Sequence, residues 1–299
     1  MKNLNFFFIG IALLTGNFVN AQDDAAIEKE IAEFHQPYKT KFESILALSK
    51  QNQLEIETVK DSVKLQQLLL KGDSLINQID ENRINELKQE FKFAKEHPNS
   101  IKSLEMIRIR IGRFEGMNFY DTFEEVFQNF SPEIKNSEKG KEMAEKLKYF
   151  KQSKVGSAAP NFILKDINDK TISLADFKDK KYILIDFWAS WCAPCLEELP
   201  YIKELYKKYQ HQGFEIISIT RDKESDSWKN AVIKNKIESW KHISLVENQS
   251  KIDTEYFVYG IPHKVLIDKN GVIIGKWKGS SENNKHDLQQ LLKSIFEAE

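Results

Sequence analysis

The chain has 299 residues, room for one large domain or two ordinary ones of roughly 100–200 residues each. Its 44 basic and 45 acidic residues leave a formal net charge of −1, without the basic excess of a nucleic-acid binder, so no nucleic-acid partner is expected. A hydrophobic content of 41% with 20 Phe, 9 Tyr and 5 Trp excludes wholesale disorder, and 2 cysteines are too few for a disulfide scaffold.

Residues 1–21 read as a signal peptide. Lys2 precedes an apolar run from Phe6 to Leu14, and Val19-Asn20-Ala21 offers small residues at a cleavage site, so the mature chain is expected to begin at Gln22. The run is shorter than the roughly 20 apolar residues of a bilayer-spanning helix, which disfavours an uncleaved anchor. No cysteine lies near the cleavage point to carry a lipid. Export would place the protein in a periplasm or cell envelope, where disulfides form and persist.

Residues 22–154 contain neither Trp nor Cys and read as helices throughout. Ile27, Ile31, Phe34, Tyr38, Phe42, Ile45 and Leu46 recur at steps of three and four, as do Leu65, Leu68, Leu69, Leu75, Ile76 and Ile79, so both stretches predict helices packed through apolar stripes. Pro98-Asn99-Ser100 interrupts the pattern, with Ser100 placed to cap a helix running from Ile101 towards Arg113. Further helices are predicted from Asp121 and over Ser137 to Phe150.

From Val155 onward all the Trp appear, and short β-branched or aromatic runs alternate with helical ones, a βαβ rhythm. Strands are predicted at Tyr182–Phe187, Phe214–Ile219, His263–Ile267 and Val272–Lys276, and helices at Pro194–Tyr209, Ser225–Lys236 and Asn284–Phe296. Asn270-Gly271 is a hairpin signal that makes the last two strands antiparallel. The expected domains are therefore a helical region at 22–154 and an α/β domain at 155–299.

Chemistry concentrates where the first of these strands meets a helix, at Asp186-Phe187-Trp188-Ala189-Ser190-Trp191-Cys192-Ala193-Pro194-Cys195. At the helix start, unpaired N–H groups favour the thiolate of Cys192, the form that attacks disulfides. Cys195, one turn later, can resolve the mixed disulfide. Cys192 is expected to be the more exposed thiol and the nucleophile. A zinc site would need further ligands at short spacing, and the six His are scattered; an inert bridge gains little from so short a loop. No metal is expected.

This stretch resembles the active-site signature of the thioredoxin superfamily, specifically the exported TlpA/ResA-like thiol-disulfide oxidoreductases with their AhpC/TSA-related domain. Val155-Gly156-Ser157-Ala158-Ala159-Pro160-Asn161-Phe162 resembles the family's entry segment, and Tyr259-Gly260-Ile261-Pro262 with Val265 to Gly271 its cis-proline loop and following strand. His97-Pro98-Asn99-Ser100 and Ser137 to Lys141 resemble the helical region that precedes this domain in some exported members; the small β-rich domain that many relatives carry before such helices has no strand pattern here.

The resemblance implies an α/β thioredoxin-like fold preceded by an all-α region, and a disulfide reductase working on client proteins through a mixed disulfide, with a membrane thiol-disulfide electron donor and no cofactor. It implies that Asp186 is a buried carboxylate exchanging a proton with Cys195. Glu198 matches an acidic position near the cysteines, so these groups are expected to titrate together. Glu197 reads as solvated. It also implies a cis peptide before Pro262, with the Ile261 backbone pairing with substrate and Trp191 at the substrate-binding rim. His263 departs from the small hydroxyl residue commoner in the family and is read as a surface substitution, with a local proton donor as the other reading. A thiol peroxidase is the second enzymatic reading, set back by Ala189 where that chemistry uses Thr. A third makes the helical region a client-binding module. Oxidase and isomerase directions stay open.

Overall fold

A computed structural model describes residues 21–113, 116 and 118–297. The expected leader lies outside the described residues except for Ala21. Among the described residues, no helix is long and apolar enough to cross a membrane.

The chain divides into two compact units, one holding residues up to Asn82 together with Ser100–Ser103, the other holding Arg83–Asn99 and everything from Leu104. The first unit is built on α1 (Ala21–Thr58) and the first half of α2 (Ser62–Glu96). These run antiparallel: Asn52 Nδ2 donates to the Leu68 carbonyl at 2.9 Å and Asn82 Nδ2 to the Tyr38 carbonyl at 2.9 Å. Of the predicted stripes, Ile45, Leu68 and Leu75 are buried, whereas Leu69 and Ile76 are exposed. Two helices have only one mutual seam, so periodicity marked a wider apolar face than a partner covers.

In the second unit, the rest of α2 packs its Phe91 ring edge-on to Phe123 at 4.7 Å. Phe123 belongs to α4 (Tyr120–Asn129), which follows α3 (Ile101–Arg108). The helix starts are chemically marked: Ser100 Oγ accepts from Ser103 N for α3, Ser131 caps α5 (Pro132–Asn136), and Ser137 caps α6 (Glu138–Gln152). Strands β1 (Ile163–Lys165) and β2 (Thr171–Ser173) form a small antiparallel pair.

The main sheet has five strands in the order β5-β4-β3-β6-β7. These are β3 (Tyr182–Trp188), β4 (Phe214–Thr220), β5 (Lys241–Ser244), β6 (His263–Ile267) and β7 (Ile273–Lys278). Strands β3, β4 and β5 are mutually parallel, and β6 and β7 antiparallel, as Asn270-Gly271 predicts. The connecting and closing helices are α7 (Ala193–Tyr209), α8 (Ser225–Lys234), α9 (Ile252–Glu255) and α10 (Glu282–Phe296). This is the thioredoxin-like α/β order.

Alternation along β3 sorts its side chains. Ile183, Ile185 and Phe187 join the layer with Ile217, Ile219 and Val265. Leu184 and Trp188 join the opposite layer, with Cys192, Cys195, Leu199 and Leu266. Asp186 lies between Leu184 and Trp188 in this alternation, so it shares the face of the cysteines.

Candidate active site

The turn that presents the thiols is held from below. After β3, Ser190 N and Oγ donate to the two carboxylate oxygens of Asp222 at 2.9 and 2.7 Å, and Thr220 Oγ1 donates to Asp222 Oδ2 at 2.6 Å. Asp222 is buried just past β4 and ties the ends of two neighbouring strands to the residue two before Cys192. Cys192 is the N-cap of α7, its Sγ accepting from Cys195 N at 3.3 Å. The two cysteines form a disulfide with Cα atoms 5.2 Å apart. In this oxidised state Cys192 is 5% and Cys195 4% exposed, so the expected contrast in exposure is not present: closing the bond packs both sulfurs into one core cluster. What projects is the rim, with Trp191 67% exposed and Ala193 and Pro194 beside it also exposed.

Across the rim, the Ile261–Pro262 peptide is cis. Ile261 packs against the cluster that holds both cysteines, and the Pro262 carbonyl accepts from Gly279 N at 2.8 Å.

Beneath the thiols lies an ionic triad. In the β3–β6 ladder Asp186 stands opposite Lys264, and both are buried. The Lys264 ammonium donates to Glu198 Oε2 and lies 3.7 Å from Asp186 Oδ1, an oxygen with no hydrogen-bond partner among the described residues. Glu198 is one turn past Cys195 on the same buried face of α7, while Glu197 is exposed, as read from the sequence. Burial raises the pKa of Asp186 above the usual carboxylate value, with Lys264 opposing it. Burial raises Glu198 as well, Lys264 again opposing and the Asp186 charge adding to the rise. Two carboxylates thus share one cation, an arrangement that can hold or release a proton inside the protein.

Lys264 and Asp222 were not singled out from the sequence. Lys264 left a signal: a lone cation in the apolar run His263–Ile267, to be matched with the lone anion of the apolar run Tyr182–Phe187. His263 needs correction. It is 1% exposed, edge-on to Phe187 with ring centroids 6.3 Å apart, and among the described residues neither ring nitrogen has a partner. Burial first, then Lys276, Lys278 and Lys264, hold its pKa well below the usual value; it is a neutral core imidazole.

The profile of the AhpC/TSA family matches residues 155–276. Over 141 residues the chain is 39% identical to the thiol-disulfide oxidoreductase ResA of Bacillus thuringiensis subsp. konkukian, covering 47% of this chain and 78% of that protein. The chain belongs to the ResA-like thiol-disulfide oxidoreductases. ResA of Bacillus subtilis is 31% identical over 141 residues, with 46% of this chain and 75% of that one covered. Among solved structures, the thioredoxin domain of a thiol-disulfide oxidoreductase from Bacteroides vulgatus is similar at 29% identity and a TM-score of 0.42, covering 46% of this chain and 98% of that one. By its relationship to the ResA proteins the enzyme is a thioredoxin-like oxidoreductase, and it carries the CxxC-spaced pair Cys192–Cys195. The matched part begins near Val155, where the sequence changes character.

Proposed function

We propose that this protein is an exported reductase of client-protein disulfides, with residues 155–299 as the catalytic domain and the helices of 22–154 contributing to client choice. The observation that carries the reading is a disulfide-bonded cysteine pair at the start of α7 above a buried acid–lysine–acid triad. The thiolate of Cys192, favoured by the N-terminal N–H groups of α7, attacks one sulfur of the client disulfide. A Cys192–client bond forms and the client's second sulfur leaves as a thiolate. The Cys195 thiol then loses its proton to the Glu198–Asp186 pair and attacks Cys192 Sγ. The Cys192–Cys195 bond closes and the client leaves as a dithiol. Two electrons from an external thiol donor at the membrane reopen the bond for another cycle.

Ile261 and Pro262 with Trp191 form the rim against which the client backbone lies. The sulfurs are recessed, so a client disulfide must be placed on that rim before exchange. Purified protein lacking residues 1–21 is expected to accelerate insulin reduction by dithiothreitol, and Cys192→Ala to fall to the uncatalysed rate. Cys195→Ser is expected to accumulate the mixed disulfide. In the reduced protein, iodoacetamide at neutral pH should modify Cys192 before Cys195, and the reverse order would exchange their roles.

A further inference from the structure

Beside the cis-proline segment, within the second unit, lies a recess of about 460 Å³, within the range of roughly 300–1,000 Å³ typical of ligand sites. It is lined by Arg83, Arg113, Lys146, Lys278, Gly112 and Tyr259, together with one aliphatic side chain, and among the described residues no carboxylate lines it. In a chain of net charge −1, this concentrates one sign of charge in one concavity, which focuses potential on an incoming anion.

The recess has a defined wall and floor. Lys278 Nζ donates to the Gly112 carbonyl at 2.8 Å. A Cβ on Gly112 would stand 2.8 Å from the Tyr259 ring, so glycine is what lets that ring lie on the backbone. Lys146 Nζ donates to the Arg108 carbonyl at 3.3 Å and lies 5.6 Å from the Tyr259 ring centre. Burial, then Arg108, lowers the Lys146 pKa against the pull of Glu142. Glu142 itself is engaged by Arg108 at 2.8 Å.

Its position ties the recess to the rim. Tyr259 is two residues before Ile261, and Lys278 immediately precedes Gly279, whose N–H holds the Pro262 carbonyl. A client strand on the Ile261 backbone advances about 3.3 Å per residue, so its flanking residues reach the recess. We infer that this cationic recess binds an acidic side chain of the client polypeptide a few residues from the reacting disulfide, making acidic flanks a specificity element of the enzyme. This rests on the client-reductase reading above.

The test separates the two. Binding is measured by fluorescence anisotropy on the oxidised full-length mature protein, which cannot exchange, using labelled peptides with Ala in place of Cys and flanks of Glu-Glu, Gln-Gln or Lys-Lys. The Glu peptide is expected to bind about tenfold tighter than the Gln peptide at low salt, with the preference lost in 0.5 M NaCl as screening shortens the reach of each charge to roughly 4 Å. Arg113→Glu, at an exposed position, should reverse the order of the Glu and Lys peptides, and Lys146→Gln should weaken the Glu peptide alone. Reduction of the uncharged hydroxyethyl disulfide should be the same in wild type and Arg113→Glu. Equal affinity for the three peptides, or a preference surviving in both variants, overturns the recess as a site. A wild-type protein that binds the Glu peptide but reduces neither insulin nor hydroxyethyl disulfide leaves the recess standing and overturns the reductase reading.

Discussion

Two places in the second unit bury one cation between two carboxylates, and they do it differently. Near the C-terminal half of α2, Arg110 Nε donates to both oxygens of Glu90 at 2.9 Å, while its Nη2 reaches Glu90 at 2.6 Å and Glu86 at 2.5 Å. Burial opposes the charge there, but hydrogen bonds and attraction from Glu90 and then Glu86 outweigh it and raise the guanidinium pKa. Beneath the thiols, Lys264 engages Glu198 closely and Asp186 only at 3.7 Å. A guanidinium fork grips two acids at once, whereas an ammonium is a point charge that satisfies one better than the other. The Arg110 triad is thus a fastener that holds both acids at hydrogen-bond distance; the Lys264 triad leaves Asp186 less tightly held and both its acids raised in pKa. The difference lies in the cation and its reach, not in burial or in the number of acids.

The comparison breaks first at Arg110. Arg110→Met leaves Glu90 buried without its cation and should cost about 3–5 kcal/mol of stability, read from urea unfolding, with insulin reduction per folded molecule unchanged. A large activity loss in folded protein would erase the division between fastener and proton store. Glu198→Gln should do the opposite: resolution of the Cys192 mixed disulfide slows by roughly 10²-fold. The fold should be no less stable, because the amide oxygen still accepts from Lys264 and the remaining charges balance one to one. Decay of a trapped mixed disulfide and urea unfolding measure the two arms.

Asp186→Asn sharpens the contrast further. Burial raises the Asp186 and Glu198 pKa values in the folded state, so the folded protein keeps protons that the unfolded chain has released. Stability from these groups is therefore full below the ordinary carboxylate value of about 4 and declines as pH rises through the raised values. Asp186→Asn should flatten that decline and move the pH dependence of Cys192 alkylation down by about one unit. Profiles of stability and alkylation that overlay those of wild type would make Asp186 an ordinary buried residue.

The smallest effect is expected at His263. Its folded pKa is depressed, so the unfolded chain takes up the proton first as pH falls below about 6.5, and stability drops by at most about 1.4 kcal/mol per pH unit. His263→Leu should remove that portion of the acid sensitivity, leaving the part contributed by His242, whose pKa burial also lowers. Thermal melts of both proteins between pH 5 and 7 measure the difference, and identical slopes would mean that His263 is protonated in the folded state.

Much of this was legible in the sequence because strong periodicity and special residues coincide. The strands at Phe214 and His263 begin where apolar and β-branched residues cluster, and Ser137 marks its helix start by the capping chemistry it performs. The edge strand β5 escaped because Lys241-His242-Ile243-Ser244 shows no apolar alternation, although three of its residues are buried. At the site, the cysteines were visible by their spacing at a helix start and Asp186 as an acid in an apolar run, whereas Glu198 and the cis bond before Pro262 came from the family resemblance. Lys264 and Asp222 were not visible, because their partners lie 66 and 32 residues away along the chain, a distance that only strand pairing closes. His263 was misread for a related reason: alternation tells that neighbours face opposite ways, but not which layer each will meet.

The pairing of Asp186 with Lys264 has a consequence for how the sheet is aligned. They are direct partners in the β3–β6 ladder, and a slip of one residue would turn Lys264 towards the layer of Ile185, Phe187 and Ile217. There its ammonium would meet only hydrocarbon, so a misaligned sheet carries an unpaired buried charge costing several kcal/mol. The charge proposed to serve the thiols therefore also indexes the strands. A lineage that lost Asp186 while keeping Lys264 would have to recover correct alignment before it could recover chemistry.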